Sequence, residues 1–405
     1  MSHPEGRPGL SSVAVALLVA VAAGAAGCSS STSGLRAPSS PSPPSLTARL
    51  DTASPTTSGS VAVVAMGILS DPLNTFWQVF VRSGVGAQWT LVTPPGVADN
   101  GGLVVSAAPA TASSGDASLL AGFEPSQALA FSPLAASPDQ GSTWSAGLVN
   151  GGLASVPDAL SASASQGLLA LLRGDGGEVV RSDGDPSTWS ELVDRTTIAS
   201  SSGGRSCRAG PLTAVALDAE RGPLVATTCT APGEVGILAM VDREWRLVVP
   251  RLSGRFASAS TRVLRLVDVS GRASGLVATA VGSTTYLIGI SSAGGGSWLR
   301  SPPLPVAVKD RTVVTSVEPG GGFVVLASRS NGSPALEMET GPAGAWQSLP
   351  PPPLGTATVV VGAGGVVDAL VAGATVCTDW RFDTSTASWS KISTVSVPIQ
   401  FGSSS

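Results

Sequence analysis

The sequence predicts an all-β fold, a β-propeller of four-stranded antiparallel blades, with seven blades or six. Three observations lead to this fold class. Gly and Pro together make up 80 of the 405 residues, only 12% of residues are charged, and 43% are hydrophobic. This composition is typical of short strands joined by many turns, and it does not fit a disordered polyampholyte or a helical protein rich in Glu and Lys. The other two observations are a tryptophan repeat and a recurring order of strands.

Tryptophan marks a repeat of about fifty residues. Each of these tryptophans follows a turn-rich stretch, and an apolar, β-branched run bounded by Gly lies about 20 to 25 residues before it. Repetition at this period is the pattern of propellers and related repeat folds. Seven copies of the unit are present, marked by Trp89, Trp144, Trp189, Trp245, Trp298, Trp346 and Trp389.

The clearest copy of the unit runs from residue 212 to residue 249. Its segments LTAVALDA, PLVATTC, VGILAMVD and EWRLVV are short, apolar and separated by turns, so they predict four strands. The same order recurs between residues 263 and 302. Four short antiparallel strands per unit describe one propeller blade, and we expect residues 47–405 to form a single propeller domain.

One turn carries a resemblance to a known family. Residues 137–144 read SPDQGSTW, with Ser137, Asp139, Gly141, Thr143 and Trp144 at the defining positions. The segment resembles the Asp-box of sialidases and related propellers, and two other turns look like degraded copies. The resemblance implies a carboxylate that bonds the backbone of a tight turn, a glycine at positive φ, and a tryptophan packed on the blade. In these families the Asp-box lies away from the active site, so it implies a fold and no catalytic role.

The N-terminus is predicted to be an export signal. Residues 1–27 join a polar start to an apolar run of small residues that ends at Ala25-Ala26-Gly27-Cys28. This ending resembles the lipobox of bacterial lipoproteins, which implies a signal peptide over residues 1–27 and a lipid group on Cys28. Residues 28–46 are rich in Ser and Pro and predict a tether. The expected location is the extracytoplasmic face of the cell membrane, held by the lipid anchor.

Ala25 stands where a lipobox most often has Leu, and this departure leaves two alternatives open. Ordinary cleavage at a small-residue site would secrete the chain, whereas an uncleaved helix would retain it, although the apolar run is shorter than a bilayer span. Lys309 and Lys391 are the two lysines, against 21 arginines, and Ala, Gly and Val are abundant. This bias is associated with high-GC bacterial genomes and suggests an actinobacterial source.

The composition excludes several classes of chemistry. The one histidine, His3, lies in the segment predicted to be removed, so His-dependent nucleophilic catalysis and His-ligated metal sites are excluded from the mature chain. A net charge of −4 without a basic run provides no electrostatic footprint for nucleic acid. We expect neither a cofactor nor a metal. The one tyrosine, Tyr286, lies inside TTYLIGI and is expected to be a packed strand residue rather than a sialidase-type nucleophile.

Candidate ligand-binding residues are placed by the geometry of a propeller. The loops from a fourth strand to the next first strand, and from a second to a third strand, share one face with the central opening, and loops often carry function. The longest such segment, residues 193–210, carries Arg195, Arg205 and Arg208. The second-to-third loops add Arg173, Asp175, Glu124, Asp71 and Arg329.

Two functions of different classes are compatible with these features. The preferred one is a surface-anchored, non-catalytic binding or scaffolding lipoprotein that recognises a protein or a cell-envelope glycan. The alternative is an extracytoplasmic carbohydrate-active enzyme, a glycosidase or lyase on a sialidase-like propeller, which would use paired carboxylates. Convergence within roughly 10 Å of two of four carboxylates would favour the enzyme. These four are Asp71, Glu124, Asp175 and Asp379.

The cysteines and the chain ends yield two further expectations. Cys207 precedes the first strand of the fourth repeat and Cys229 ends the second, so antiparallel register predicts a disulfide between them. Cys377 is then left free and buried in a strand. The apolar segment 394–401 is expected to supply the first strand of the first blade, beside residues 61–67, with LTARL at 46–50 as the rival.

Overall fold

Apolar runs rich in β-branched residues form short strands throughout the described part of the chain. The computed structural model describes residues 47–48, 53–55, 59–70, 74–84, 86–97, 103–108, 118–123, 134–146, 157–163, 166–172, 177–183, 188–306, 312–328, 333–362 and 365–399. Within these ranges it contains thirty β-strands, two short α-helices and two 3₁₀ turns. No helix in these ranges is long and apolar enough to span a bilayer.

The elements follow one another in a regular order. The strands before residue 195 are β1 (Thr47–Ala48), β2 (Ala53–Pro55), β3 (Ser60–Gly67), β4 (Thr75–Arg82), β5 (Thr90–Leu91), β6 (Leu103–Ala108), β7 (Ser118–Phe123), β8 (Leu134–Ser137), β9 (Ser145–Ala146), β10 (Pro157–Ser163), β11 (Gly167–Leu172), β12 (Glu178–Ser182) and β13 (Ser190–Asp194). The helices are α1 (Arg195–Ser200) and α2 (Ser202–Cys207), and the 3₁₀ turns are Gly254–Phe256 and Gly294–Gly296. The later strands are β14 (Ala209–Asp218), β15 (Gly222–Cys229), β16 (Ile237–Val241), β17 (Glu244–Leu247), β18 (Thr261–Val269), β19 (Arg272–Val281), β20 (Thr284–Ala293), β21 (Ser297–Arg300), β22 (Leu304–Val306), β23 (Thr312–Val317), β24 (Phe323–Ser328), β25 (Pro334–Glu339), β26 (Trp346–Leu349), β27 (Thr356–Val361), β28 (Val367–Ala372), β29 (Val376–Asp383) and β30 (Ser388–Ser396).

Consecutive strands pair antiparallel in runs of four. Three runs, β6–β9, β10–β13 and β27–β30, are separate sheets. A nine-stranded sheet joins the runs β14–β17 and β18–β21 through a short β15–β18 pairing and adds β22. A second nine-stranded sheet joins β2–β5 to β23–β26 through a parallel β2–β23 pairing and adds β1. The predicted all-β fold of four-stranded antiparallel units is therefore confirmed.

Apolar side chains fill the spaces between successive runs. One buried cluster lies between β3–β4 and β6–β7, and further clusters lie between each later pair of neighbouring runs. The last cluster packs Val360, Leu370 and Val397 against Val64 and Phe80, so the final run contacts the first. Each such fully buried side chain contributes about 1.5–3 kcal/mol to stability.

The expected strand from residues 394–401 beside residues 61–67 is wrong. β30 continues as far as Ser396 and pairs with β29, with Ser396 opposite Val376. The first-strand position beside β3 is occupied by β2, while Thr47–Ala48 in the rival segment pairs with β23 instead. The physical reason is that β29 pairs with β30 along the whole length of both strands, so residues 394–396 already have a partner and cannot pair with β3. The C-terminal segment contributes packing, because Val397 is buried against the first run, and residues 400–401 lie outside the described residues.

The segment between β13 and β14 is helical rather than an irregular loop. Asp194 caps α1 by accepting a hydrogen bond from Thr197 N at 2.7 Å, and Ser201 caps α2 through Gly204 N at 3.0 Å. Cys207, the last residue of α2, forms a disulfide with Cys229 at the end of β15, as predicted from the register. Cys377 is a free, buried thiol in β29, also as predicted.

Candidate active site

Several residues proposed from the sequence lie outside the described residues, namely Cys28, Asp71, Glu124, Arg173, Asp175 and Arg329. The other three, Arg195, Arg205 and Arg208, are exposed on α1, on α2 and at the end of α2. Arg205 donates a hydrogen bond to Ser200 O, and Arg208 adopts φ 51° to end the helix. These arginines belong to the two short helices or follow them directly, and among the described residues the structure records no contact between them and Asp218, Asp268 or Glu318, which are described below.

The turn at residues 137–144 is held by its own side chains. Asp139 accepts hydrogen bonds from Thr143 N at 2.8 Å and Thr143 Oγ1 at 2.7 Å, and Ser137 Oγ accepts one from Gly141 N at 2.7 Å. The hydrogen bonds from Thr143 are the main reason why the pKa of Asp139 lies below its ordinary value. Gly141 has φ 89°, and a Cβ there would lie 2.6 Å from Val92. Asp139 therefore has a structural role, which is to stabilise this turn.

Three carboxylates occupy the same position in three consecutive runs. Asp218 ends β14, Asp268 lies one residue before the end of β18, and Glu318 follows β23. Each is at the turn from the first to the second strand of its run. In an antiparallel run this end of the strands also carries the third-to-fourth turn, and Glu318 accordingly accepts a hydrogen bond from Gly341 N in the β25–β26 turn. The three carboxylates therefore lie at the end opposite to the fourth-to-first and second-to-third loops that the sequence predicted to hold the site. Ala219 N donates to Gly271 O at 3.0 Å, which ties the first two turns together. The three turns thus form a row, which we call the acidic row (Asp218, Asp268 and Glu318).

Asp218 is held in its ionised form. It is 1% exposed, and it accepts hydrogen bonds from Ser292 Oγ at 2.7 Å and from Arg221 N at 3.0 Å. Arg221 Nη1 also lies 3.2 Å from Asp218 Oδ1. Burial alone would raise the pKa of Asp218, but the Ser292 and Arg221 hydrogen bonds and the Arg221 charge lower it below its ordinary value.

The pKa of Asp268 is shifted in the opposite direction, above its ordinary value. Burial raises its pKa to about 6, the hydrogen bond from Gly271 N at 2.7 Å opposes this shift, and the negative charge of Asp218 adds to it. Asp268 is half-buried, whereas Asp218 is almost fully buried. Two neighbouring carboxyl groups whose proton affinities are driven apart are the arrangement that enzymes use to hold one acid protonated beside one ionised partner.

Glu318 and the nearby Glu339 are two further carboxylates of this region, and each accepts a hydrogen bond from the backbone. Burial raises the pKa of Glu318, which accepts a hydrogen bond from Gly341 N at 2.6 Å. Glu339 has no exposed surface, and burial raises its pKa to about 7. A Cβ at Gly289 would overlap the Glu339 carboxylate, so the glycine provides its space. Solvent does not reach Glu339.

A second carboxylate pair joins the first and last runs. Arg82 Nη1 lies 2.5 Å from Asp368 Oδ2 and 4.0 Å from Asp379 Oδ2, and Arg381 Nε lies 2.8 Å from Asp368 Oδ1. Burial, and next the charge of Asp368, raise the pKa of Asp379 to about 6 against the charges of Arg82 and Arg381. Asp379 is thus paired with Asp368, whereas the three carboxylates expected beside it lie outside the described residues. Both aspartates are buried, so neither carboxylate is available to a substrate.

Sequence reasoning missed the acidic row although a signal was present. Asp218, Asp268 and Glu318 are spaced at intervals of 50 residues, and each ends a first-strand pattern. Acidic residues in turns are usually solvated, so the spacing alone did not distinguish them. The described residues contain no group of three or more His, Cys, Asp or Glu side chains arranged to hold a metal ion.

No protein-family model matches this sequence, and no curated protein matches it. Solved structures align with most of the chain. The periplasmic gluconolactonase of Pseudomonas aeruginosa is 10% identical, with 84% of this chain and 96% of that chain covered and a TM-score of 0.49. A putative 6-phosphogluconolactonase of Bacteroides fragilis is 12% identical, with 84% and 96% covered and a TM-score of 0.48. The antiparallel runs of four strands, with the last run packed on the first, have the architecture of a β-propeller.

These structures require a correction to the preferred function. The sequence favoured a non-catalytic binding or scaffolding protein, whereas the aligned structures include a gluconolactonase and two putative 6-phosphogluconolactonases, which are named for an enzymatic activity. The non-catalytic function is therefore withdrawn in favour of the alternative. Because the identities of 10–12% show only a likeness of fold, any activity of this propeller has to be derived from its own residues.

Proposed function

We propose that this propeller is an extracytoplasmic carbohydrate-active hydrolase with Asp268 as its general acid and base. The observation that carries the proposal is the placement of Asp218 and Asp268 at adjacent turns, which the hydrogen bond from Ala219 N to Gly271 O ties together, and their opposite pKa shifts support it. Cleavage of a glycosidic bond uses carboxyl groups in different protonation states, and the half-buried Asp268 beside the ionised Asp218 provides such a pair.

The two aspartates would have different roles in the reaction. Protonated Asp268 donates its proton to the leaving oxygen as the sugar C–O bond breaks. A water molecule then adds its hydroxyl to the sugar carbon and returns a proton to Asp268. Asp218 is buried and hydrogen-bonded by Ser292 and Arg221, so it remains ionised, and its negative charge helps to keep the proton on Asp268.

Replacement of Asp268 by Asn is expected to reduce hydrolysis about 100-fold or more, because a general acid contributes a factor of this size. Release of the aryl group from a panel of nitrophenyl glycosides measures the effect. Wild-type activity is expected to fall as the pH rises above about 6, where Asp268 loses its proton.

Asp242→Asn is the matched control, because Asp242 is an exposed turn carboxylate whose side chain is 79% exposed. This variant is expected to retain full activity. Hydrolysis by Asp268→Asn at the wild-type rate, or the absence of hydrolysis by the wild type across the panel, would overturn the proposal.

We also propose that the protein is a lipoprotein anchored through Cys28, with a signal peptide over residues 1–27 and a tether over residues 28–46. The small residues before Cys28 and the Ser/Pro composition of the tether support this placement. Metabolic labelling with a fatty acid is expected to mark the wild type and not Cys28→Ala. Equal labelling of both proteins would contradict the anchor.

The blade count and the family resemblance belong to the same proposal. We infer seven blades, closed into a ring, with an Asp-box at residues 137–144 and an actinobacterial source. Seven antiparallel runs of four strands and the packing of the last run on the first support the count. An experimental structure with six or eight such runs would overturn it.

A further inference from the structure

Arg255 lies on an aromatic platform formed by Phe256 and Tyr286. It belongs to the 3₁₀ turn Gly254–Phe256, which lies between β17 and β18. The guanidinium carbon is 4.9 Å from the ring centroid of Phe256 and 4.5 Å from that of Tyr286. The two rings meet edge to face, with centroids 5.2 Å apart at 76°. Two π-faces therefore restrict the orientation of one exposed cation.

No carboxylate of the described residues forms an ion pair with Arg255. Other exposed arginines of this region pair with acidic groups, as Arg246 does with Asp242 and Arg251 does with Glu234. For Arg255, the structure records only the two ring contacts among the described residues. Its guanidinium is thus orientated by the rings while its N–H groups remain available to a ligand.

The loop that carries Arg255 is braced from the neighbouring run. Arg300 Nη2 donates hydrogen bonds to Pro250 O and to Arg251 O, the second at 3.0 Å. Arg251 Nη2 donates to Ala257 O at 3.4 Å, while its side chain remains 55% exposed. These hydrogen bonds hold the backbone of the loop in place.

We propose that Arg255, supported by Phe256 and Tyr286, is a binding site for the oxyanion of a small ligand, a carboxylate or a phosphate. A planar guanidinium presents two parallel N–H donors to such a group, and an orientation fixed in advance reduces the entropy lost on binding. The site lies before β18, whereas Asp268 lies near the end of that nine-residue strand, about 20 Å or more away at the usual rise of a strand. It is therefore distinct from the proposed active site.

Isothermal titration calorimetry on the purified full chain tests the site with sodium glucuronate, sodium phosphate and uncharged glucose. We expect glucuronate or phosphate to bind and glucose not to bind. The tighter of the two anions identifies the preferred oxyanion. Arg255→Leu should weaken binding at least tenfold, and Arg255→Lys should weaken it less, because lysine keeps the charge but loses the paired donors.

Arg272→Leu is the matched control, since Arg272 is an exposed arginine at the opposite end of the strands, and its affinity should equal that of the wild type. Thermal unfolding of each variant verifies folding. Equal affinity of Arg255→Leu and wild type, equal binding of glucose, or no anion binding by the wild type would overturn the site. Because the measurement needs no turnover, its outcome is independent of the role of Asp268.

Discussion

Replacement of Arg82 by methionine is expected to lower the free energy of unfolding by about 3–5 kcal/mol, because removal of one partner leaves buried charges uncompensated. Arg82 is 1% exposed and contacts both Asp368 and Asp379. Its guanidinium also lies 4.7 Å from the ring centroid of Trp89. Since Arg82 belongs to β4 and the aspartates to β28 and β29, the loss falls on the junction between the first and last runs. Urea denaturation measures the change.

The cause of this loss is tested by rescue. In the Arg82→Met background, Asp379→Asn should recover part of the stability, because it removes the carboxylate that is then left without its cation, while Arg381 still pairs with Asp368. Arg272→Met, an exposed substitution, should change stability by no more than about 0.5 kcal/mol. A loss below about 1 kcal/mol in Arg82→Met would show that the ion pair does not hold the junction.

The free energy of unfolding is expected to rise as the pH falls from 8 to 5, opposite to ordinary acid denaturation. Burial raises the pKa of Glu339 from 4.5 to about 7, so the folded state binds this proton more tightly than the unfolded state does. The resulting stability is fully present below pH 4.5 and is lost as the pH rises through 7. A shift of this size corresponds to about 3 kcal/mol. Asp379 and Asp268, with pKa values of about 6, act in the same direction.

Glu339→Gln isolates the contribution of this side chain. Glutamine preserves the shape and removes the titration, so the variant should be more stable than the wild type at pH 8 and should show a weaker dependence on pH. Glu337→Gln is the control, because Glu337 lies two residues away in the same strand and accepts a hydrogen bond from Ser348 Oγ at the surface. Denaturation curves at pH 5, 6, 7 and 8 provide the comparison. An unchanged pH dependence in Glu339→Gln would contradict the assignment.

Local patterns predicted the repeated strands and one long-range contact. The apolar run GLLALL forms β11, and PLVATTC falls within β15. The bond between Cys207 and Cys229 followed from register, because adjacent antiparallel strands bring their opposite ends together. The expected first strand from residues 394–401 was wrong because β30 pairs with β29 as far as Ser396, and Ala53–Pro55, in a polar segment without an obvious strand pattern, pairs with β3 instead.

The candidate site was less predictable than the fold. Asp218 and Asp268 looked like ordinary turn residues, because each lies in a polar segment that would be solvated in an isolated hairpin. The lowered pKa of Asp218 depends on Ser292, which comes from another run and is 74 residues away in the sequence. Arg255 was missed for a similar reason, because its contact with Tyr286 of β20 is a tertiary contact between residues far apart in the sequence.

By itself, the sequence determined the period, the strand order and the turns, because these depend on side chains within a few residues of one another. It also places a polar or charged residue seven positions before five of the seven tryptophans, namely Arg82, Ser137, Ser182, Ser291 and Glu339. Only the tertiary structure buried these residues and assigned Arg82 to Asp368, a partner 286 positions away. Burial and pairing between runs determine charge state, because desolvation and nearby charges act through space and leave no mark on the local pattern.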